Sequence, residues 1–204
     1  MEERAKRSRE GNEVEFSRIV AFSDGVFAIA ITLLVLNLGI TKGLADSEVA
    51  DALWGLRENF VAFAISFAVI GRFWILHHRF FGDVTGFDSR LLTLNLVYLA
   101  WIALIPFSSN VLGEYGDASA AVVVYSINLA GVVLLGMLMS QYAHRAGLTK
   151  QRQVDHREAR LRALYIAGVF LATIPVAFLA PNVAPLLWLI LFVDVPRLAR
   201  GRRG

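Results

Sequence analysis

The chain has 204 residues, of which 56% are hydrophobic and 18% charged, and its mean hydropathy is +0.57. Soluble domains carry about 25% charged residues, so an ordinary water-soluble globule is excluded and a bilayer is the expected solvent. The formal charge of +3 does not point to nucleic acid, because in a membrane chain the placement of basic residues carries the information. With no cysteine, disulfides, thiolate metal sites and cysteine nucleophiles are excluded as well.

Apolar runs of the length that a ~30 Å hydrocarbon core requires predict six transmembrane helices in one domain, 1–204. The first, 19–38, lies in RIVAFSDGVFAIAITLLVL (Arg18 to Leu36), where an acid, Asp24, sits early in a lipid-like run. A charge at the bilayer centre costs on the order of 3 kcal/mol, so Asp24 belongs near the headgroups or against protein with a partner. A cleaved signal peptide is the competing reading. The Ser23-Asp24 pair breaks the run early and no small-x-small cleavage site follows, so the run is read as a helix. At about 100° per residue, Arg18, Phe22, Ile29, Thr32 and Leu36 fall in a sector of about 80°, with Ser23 and Asp24 on its flanks. That face suits lipid, with Thr32 bonding its own helix carbonyls. It equally suits copies of itself around a symmetry axis, with apolar rings at Ile29 and Leu36 and hydroxyls between them.

The second helix, 52–80, ends in GRFWILHHRFF. Adjacent His77 and His78 point about 100° apart and make a poor metal pair, while Trp74 reads as an interface anchor. The third, 91–112, places Asn95 at a depth comparable with Asp24. A buried amide there needs partners, and Ser23, Asp24 and His77 are the groups at that depth able to supply them. Pro106 predicts a kink or a freed carbonyl. The fourth and fifth, 118–142 and 158–180, add little beyond hydropathy. The sixth, 183–196, is the weakest, because Pro185 and Asp194 leave a core of little more than Leu186 to Val193; a short, tilted or partly interfacial helix is expected.

Lys and Arg gather in four places: residues 4–18, 72–90, 145–162 and 197–203. The intervening loops hold only Lys42, with Arg57 just inside the second helix. By the positive-inside rule both termini are cytoplasmic, which agrees with an even number of crossings. The basic stretch from Lys150 to Arg162 reads as a solvated loop, with anionic headgroups as the other possible contact.

These residues carry a resemblance. Arg18-x-x-x-Phe22-Ser23-Asp24, followed by a helix rich in Ala, Ile and Leu with Thr32 eight positions after the acid, resembles the first helix of the transmembrane-protein-175 family of potassium channels. Trp74-x-x-His77-x-Arg79, Leu94-Asn95-Leu96 and Pro106-Phe107 resemble the same family. The motifs cover the first three helices. The resemblance implies an all-α integral membrane protein, a homotetramer of six-helix subunits around a central pore in a prokaryotic cell membrane, with lipids as its other partners. It implies potassium as the permeant ion and no cofactor, fixed metal site, nucleic acid or small-molecule substrate. It places an apolar constriction at Ile29, potassium transit past a threonine layer at Thr32, and a further apolar layer at Leu36. Arg18, Phe22, Ser23 and Asp24 are then expected to hold the first helix in a network with His77 and Asn95, which makes Asp24 a brace.

A carbonyl filter of the TVGYG kind is absent; Gly113-Glu-Tyr-Gly-Asp117 is a short turn without a pore helix. Neither HExxH nor GxSxG occurs, so an enzyme is not expected. The remaining alternative is a proton-coupled transporter relaying protons through Asp24 and His77. It would call for broken helices at the midplane and an internal repeat.

Overall fold

The structure, a computed structural model, describes residues 2–40, 43–150, 156–181 and 183–192. Among the described residues all regular structure is helical apart from one isolated antiparallel bridge, Val84 to Thr149. The helices are α1 (Glu2–Leu33), α2 (Asp46–Gly55), α3 (Arg57–Asp83), α4 (Ser89–Ala103), α5 (Ile105–Glu114), α6 (Ser119–Arg145) and α7 (His156–Leu179), with 3₁₀ helices at Leu34–Asn37 and Ala184–Phe192.

Among the described residues, five helical stretches are long and apolar enough to cross a membrane: Val14–Asn37, Arg57–Asp83, Ser89–Glu114, Ser119–Arg145 and Arg157–Leu179. Helix α1 has 32 residues, about 48 Å at 1.5 Å per residue. That exceeds a ~30 Å hydrocarbon layer, so its polar first third extends beyond it.

The predicted boundaries shift in three places. The second span starts at Arg57 and runs to Asp83, because Leu56 (φ −80°, ψ 2°) breaks the chain between α2 and α3. Helix α2 is thus a separate element, its start fixed by the Glu48 carboxylate accepting from Ala45 N–H at 2.9 Å. The third span is two helices, parted at Leu104 with Pro106 in the first turn of the second. Proline has no N–H and clashes with the preceding turn, which accounts for a break at this point. The sixth helix is described only as a nine-residue 3₁₀ stretch, about 18 Å long at 2.0 Å per residue. The rest of that predicted helix, 193–196, lies outside the described residues.

The core is built around α6, which packs on α4, α5 and α7. Its buried Tyr125, Leu129, Ala130 and Val132 join Ile70 and Phe73 of α3, Tyr98, Leu99 and Ile102 of α4, and Phe27, Ala30 and Leu34 of the first span. Close approach of α4 depends on Gly131: a Cβ there would stand 2.0 Å from Cζ3 of Trp101. The short last helix is fastened by Trp188, whose indole N–H donates to Thr173 Oγ1 at 3.1 Å while its ring lies 5.2 Å from that of Tyr125.

A second apolar cluster closes the end of the bundle that carries the N-terminal part of α1. Phe81, Val84, Leu91, Met139 and Ala143 are buried there, with Phe16, Ile19 and Phe87 packed on them. Asp88 ties this end together: its carboxylate caps α4 by accepting from Leu91 N–H at 2.8 Å and accepts from the Tyr142 hydroxyl of α6. Lys150 adds two bonds, its backbone N–H to Asp83 O and its Nζ to Gly82 O.

Candidate functional site

Helix α1 has two unlike sides. Ser23, Phe27, Ala30 and Leu34 are buried at spacings of 4, 3 and 4 residues, one helical stripe set into the core. The opposite stripe is uncovered: Phe22 is 56% exposed, Ile29 60% and Leu36 72%, with Arg18 and Thr32 also exposed. Thr32 Oγ1 donates to Ile29 O at 2.9 Å, so the hydroxyl is satisfied within its own helix while its oxygen stays open to a further contact.

Polar groups fix the buried side. Asn95 of α4 donates from Nδ2 to Ser23 Oγ at 3.0 Å, and Ser23 donates to Ile19 O at 2.9 Å. This orientation of the amide leaves Asn95 Oδ1 facing His77 Nε2 of α3 at 2.9 Å. Oδ1 can only accept, so Nε2 carries the imidazole proton. His77 Nδ1 is then an acceptor, buried and without a partner. The ring sits in an aromatic box, stacked on Tyr98 (5.6 Å between centroids, 14°) with Phe27 at 5.3 Å and Phe81 at 4.6 Å. Three spans meet in this chain of bonds, and α1 cannot turn about its axis without breaking it.

Asp24 is placed beside this network and not in it. Its Oδ1 accepts from the Trp74 indole N–H at 2.9 Å, so Trp74, expected as an interface anchor, is the partner of the acid. The two residues are 50 positions apart, and nothing local in the sequence signals the pairing. Arg18 lines a shallow groove with Glu15, Phe22, Leu92, Asn95 and Leu96, so it borders the Ser23, Asn95 and His77 chain at Asn95.

Sequence reading also missed a second polar set farther along the bundle, around the break in the third span. Ser108 donates to Asn128 Oδ1 at 2.8 Å, and Asn128 Nδ2 donates to Trp101 O at 3.0 Å. Ser66 donates to Ser109 at 2.8 Å and lies 3.0 Å from the Tyr125 hydroxyl. Asn37 Nδ2 donates to Pro106 O at 3.2 Å. Hydroxyl and amide residues in PFSSN and YSIN were the available signal, since such groups in a membrane span face other helices.

A multi-span helical bundle that braces the back of one helix with buried polar bonds, while leaving the front of that helix uncovered along its length, has the build of a membrane transport protein. Residues 18–106 match the family described as "Endosomal/lysosomal potassium channel TMEM175". A protein described as a potassium channel from Streptomyces collinus is 34% identical over 157 residues, 75% of this chain and 76% of that one. The crystal structure of a lysosomal potassium-selective channel TMEM175 homologue from Chamaesiphon minutus superposes with a TM-score of 0.71 at 26% identity, covering 93% of this chain and 99% of that one. The Gallus gallus endosomal/lysosomal proton channel TMEM175 is 31% identical over 152 residues, 70% of this chain but only 30% of that protein. The chain belongs to the TMEM175 family, a family of ion channels and not of enzymes.

Proposed function

We propose that the protein is a potassium channel of the prokaryotic cell membrane, a homotetramer with both termini cytoplasmic whose four α1 helices line one pore. The observation that carries this reading is the uncovered stripe of α1 opposite its braced back. An apolar helix face needs no partner in lipid, but the outlay of buried polar bonds behind it fixes its direction. In the tetramer Ile29 forms the narrowest ring and excludes water by dewetting. Thr32 oxygens form the layer that potassium passes, and Leu36 forms a further apolar ring. Arg18, Phe22, Ser23 and Asp24, with His77 and Asn95, orient the helix, and Asp24 acts through Trp74.

The proton-coupled transporter is the weaker reading. Asp24 is bonded to Trp74 and His77 to Asn95, with no direct contact to pass a proton between acid and imidazole. The break at Leu104 is the feature such a transporter would share, but the polar groups around it are taken up by Ser108 and Asn128 inside the bundle.

The test is the reversal potential of the purified protein in liposomes under opposed potassium and sodium gradients. A shift towards the potassium equilibrium potential is expected, and its absence removes selectivity. Potassium flux driven uphill by a proton gradient would favour the transporter.

A further inference from the structure

The first span changes its winding just where its last pore-facing residue stands. It is α-helical through Leu33 and 3₁₀ over Leu34–Asn37, with Leu38 N–H bonding Val35 O at 3.0 Å. A 3₁₀ turn advances about 120° and 2.0 Å per residue against about 100° and 1.5 Å for an α-helix. Over Leu34, Val35 and Leu36 the difference sums to about 60° of rotation and about 1.5 Å of length. On an ideal α wheel Leu36 lies about 20° from Ile29. With the 3₁₀ winding it falls off the centre line of the stripe, and Val35, 53% exposed, is turned towards that line from the other side.

A tight last turn is a common helix ending. What sets this one apart is how it is held. Leu34 at its start is fully buried. Asn37 at its end donates across 69 residues of sequence to Pro106 O, in the first turn of the half-helix α5. That turn is itself fastened on two sides, by Ser108 to Asn128 of α6 and by Ser109 to Ser66 of α3. The partner of Asn37 is therefore a fixed point of the bundle.

We propose that Asn37 is a positioning residue for the outer apolar layer: its bond to Pro106 O holds Leu34–Asn37 in the 3₁₀ winding and so sets the direction of Leu36. Release of the bond lets the turn rewind as α-helix, which swings Leu36 onto the line of Ile29 and Thr32. This rests on the reading of α1 as the pore helix.

The chain has no cysteine, so single thiols report cleanly. Leu36→Cys and Thr32→Cys are each made in the native and the Asn37→Ala background, reconstituted as the full chain, and treated from the outer side with a charged methanethiosulfonate while potassium current is recorded. Loss of one hydrogen bond should speed modification of the Leu36→Cys thiol by about fivefold, with the Thr32→Cys rate unchanged. An unchanged or slower Leu36→Cys rate overturns the proposal, as does equal acceleration at both positions, which would mean general loosening of α1. If modification at neither position alters current in the native background, the pore reading itself fails. Asn37→Leu, which keeps a similar volume and removes the donor without adding charge, carries the same expectation should Asn37→Ala not assemble.

Discussion

Replacing Asn95 with leucine tests the brace behind α1. In the native chain the amide accepts from His77 Nε2–H and donates to Ser23, and all three side chains are buried. Ser23 keeps its bond to Ile19 O in the variant, so little is lost there. His77 is different, because its Nδ1 already has no partner and loss of Asn95 leaves both ring nitrogens unpaired. An orphaned buried donor costs about 1–3 kcal/mol. For a chain of this size that is a fall in melting temperature of about 2–4 °C for each kcal/mol.

Adding His77→Phe should recover most of the loss, because an apolar ring suits the box of Phe27, Phe81 and Tyr98 and leaves nothing unsatisfied. The assay is thermal unfolding of the purified protein in detergent for the native chain, both single variants and the double variant. A coupling of at least about 1 kcal/mol towards recovery is expected. A double variant as unstable as the sum of the singles would refute the view that the cost is an unpaired imidazole. Potassium current retained in the double variant would further separate a brace from a proton relay, which cannot work without His77.

Three other outcomes are expected. Ile29→Asn places a polar group in the proposed dewetted ring and should raise single-channel conductance in a planar bilayer; an unchanged current would count against the constriction. Gly131→Ala drives a methyl into the Trp101 ring and should cost about 1–3 kcal/mol, seen as a lower melting temperature that Trp101→Leu restores. The Tyr142 hydroxyl, and then Leu91 N–H, hold the Asp88 carboxyl below its ordinary value, which is about 3.9 in model peptides. A depressed folded value stabilises the protein above the unfolded value and is lost as pH falls through the folded one. Tyr142→Phe should therefore melt lower than the native chain at pH 7, with the gap narrowing as pH falls below about 4 towards the depressed folded value; a gap that widens on acidification would contradict the assignment.

Spans were legible because the bilayer demands length and apolarity of each one separately, a property of consecutive residues. Pro106 likewise announced its break, since proline acts on its own turn. The split between α2 and α3 was not legible, because Leu53, Trp54 and Leu56 continue the apolar run through a point where only the backbone turns. The helical wheel grouped Ile29, Thr32 and Leu36 by assuming one winding throughout, and the tightening beyond Leu33 is not legible in it. Asp24 with Trp74 and Asn37 with Pro106 are pairings across 50 and 69 residues. No periodicity along one helix can supply such pairings, which depend on how spans are rotated against each other.

The polar ties on the first span have a mechanical consequence. Partway along, the helix is held by Ser23 on Asn95 and Asp24 on Trp74, and at its end by Asn37 on Pro106. It is a shaft seated in two bearings, unable to slide along its length. Between them Phe27 and Ala30 rest against the core, so bowing and twisting alike have to draw buried side chains out of their packing. Ile29 is next to Ala30, so the uncovered side chain can be displaced only if its buried neighbour moves with it.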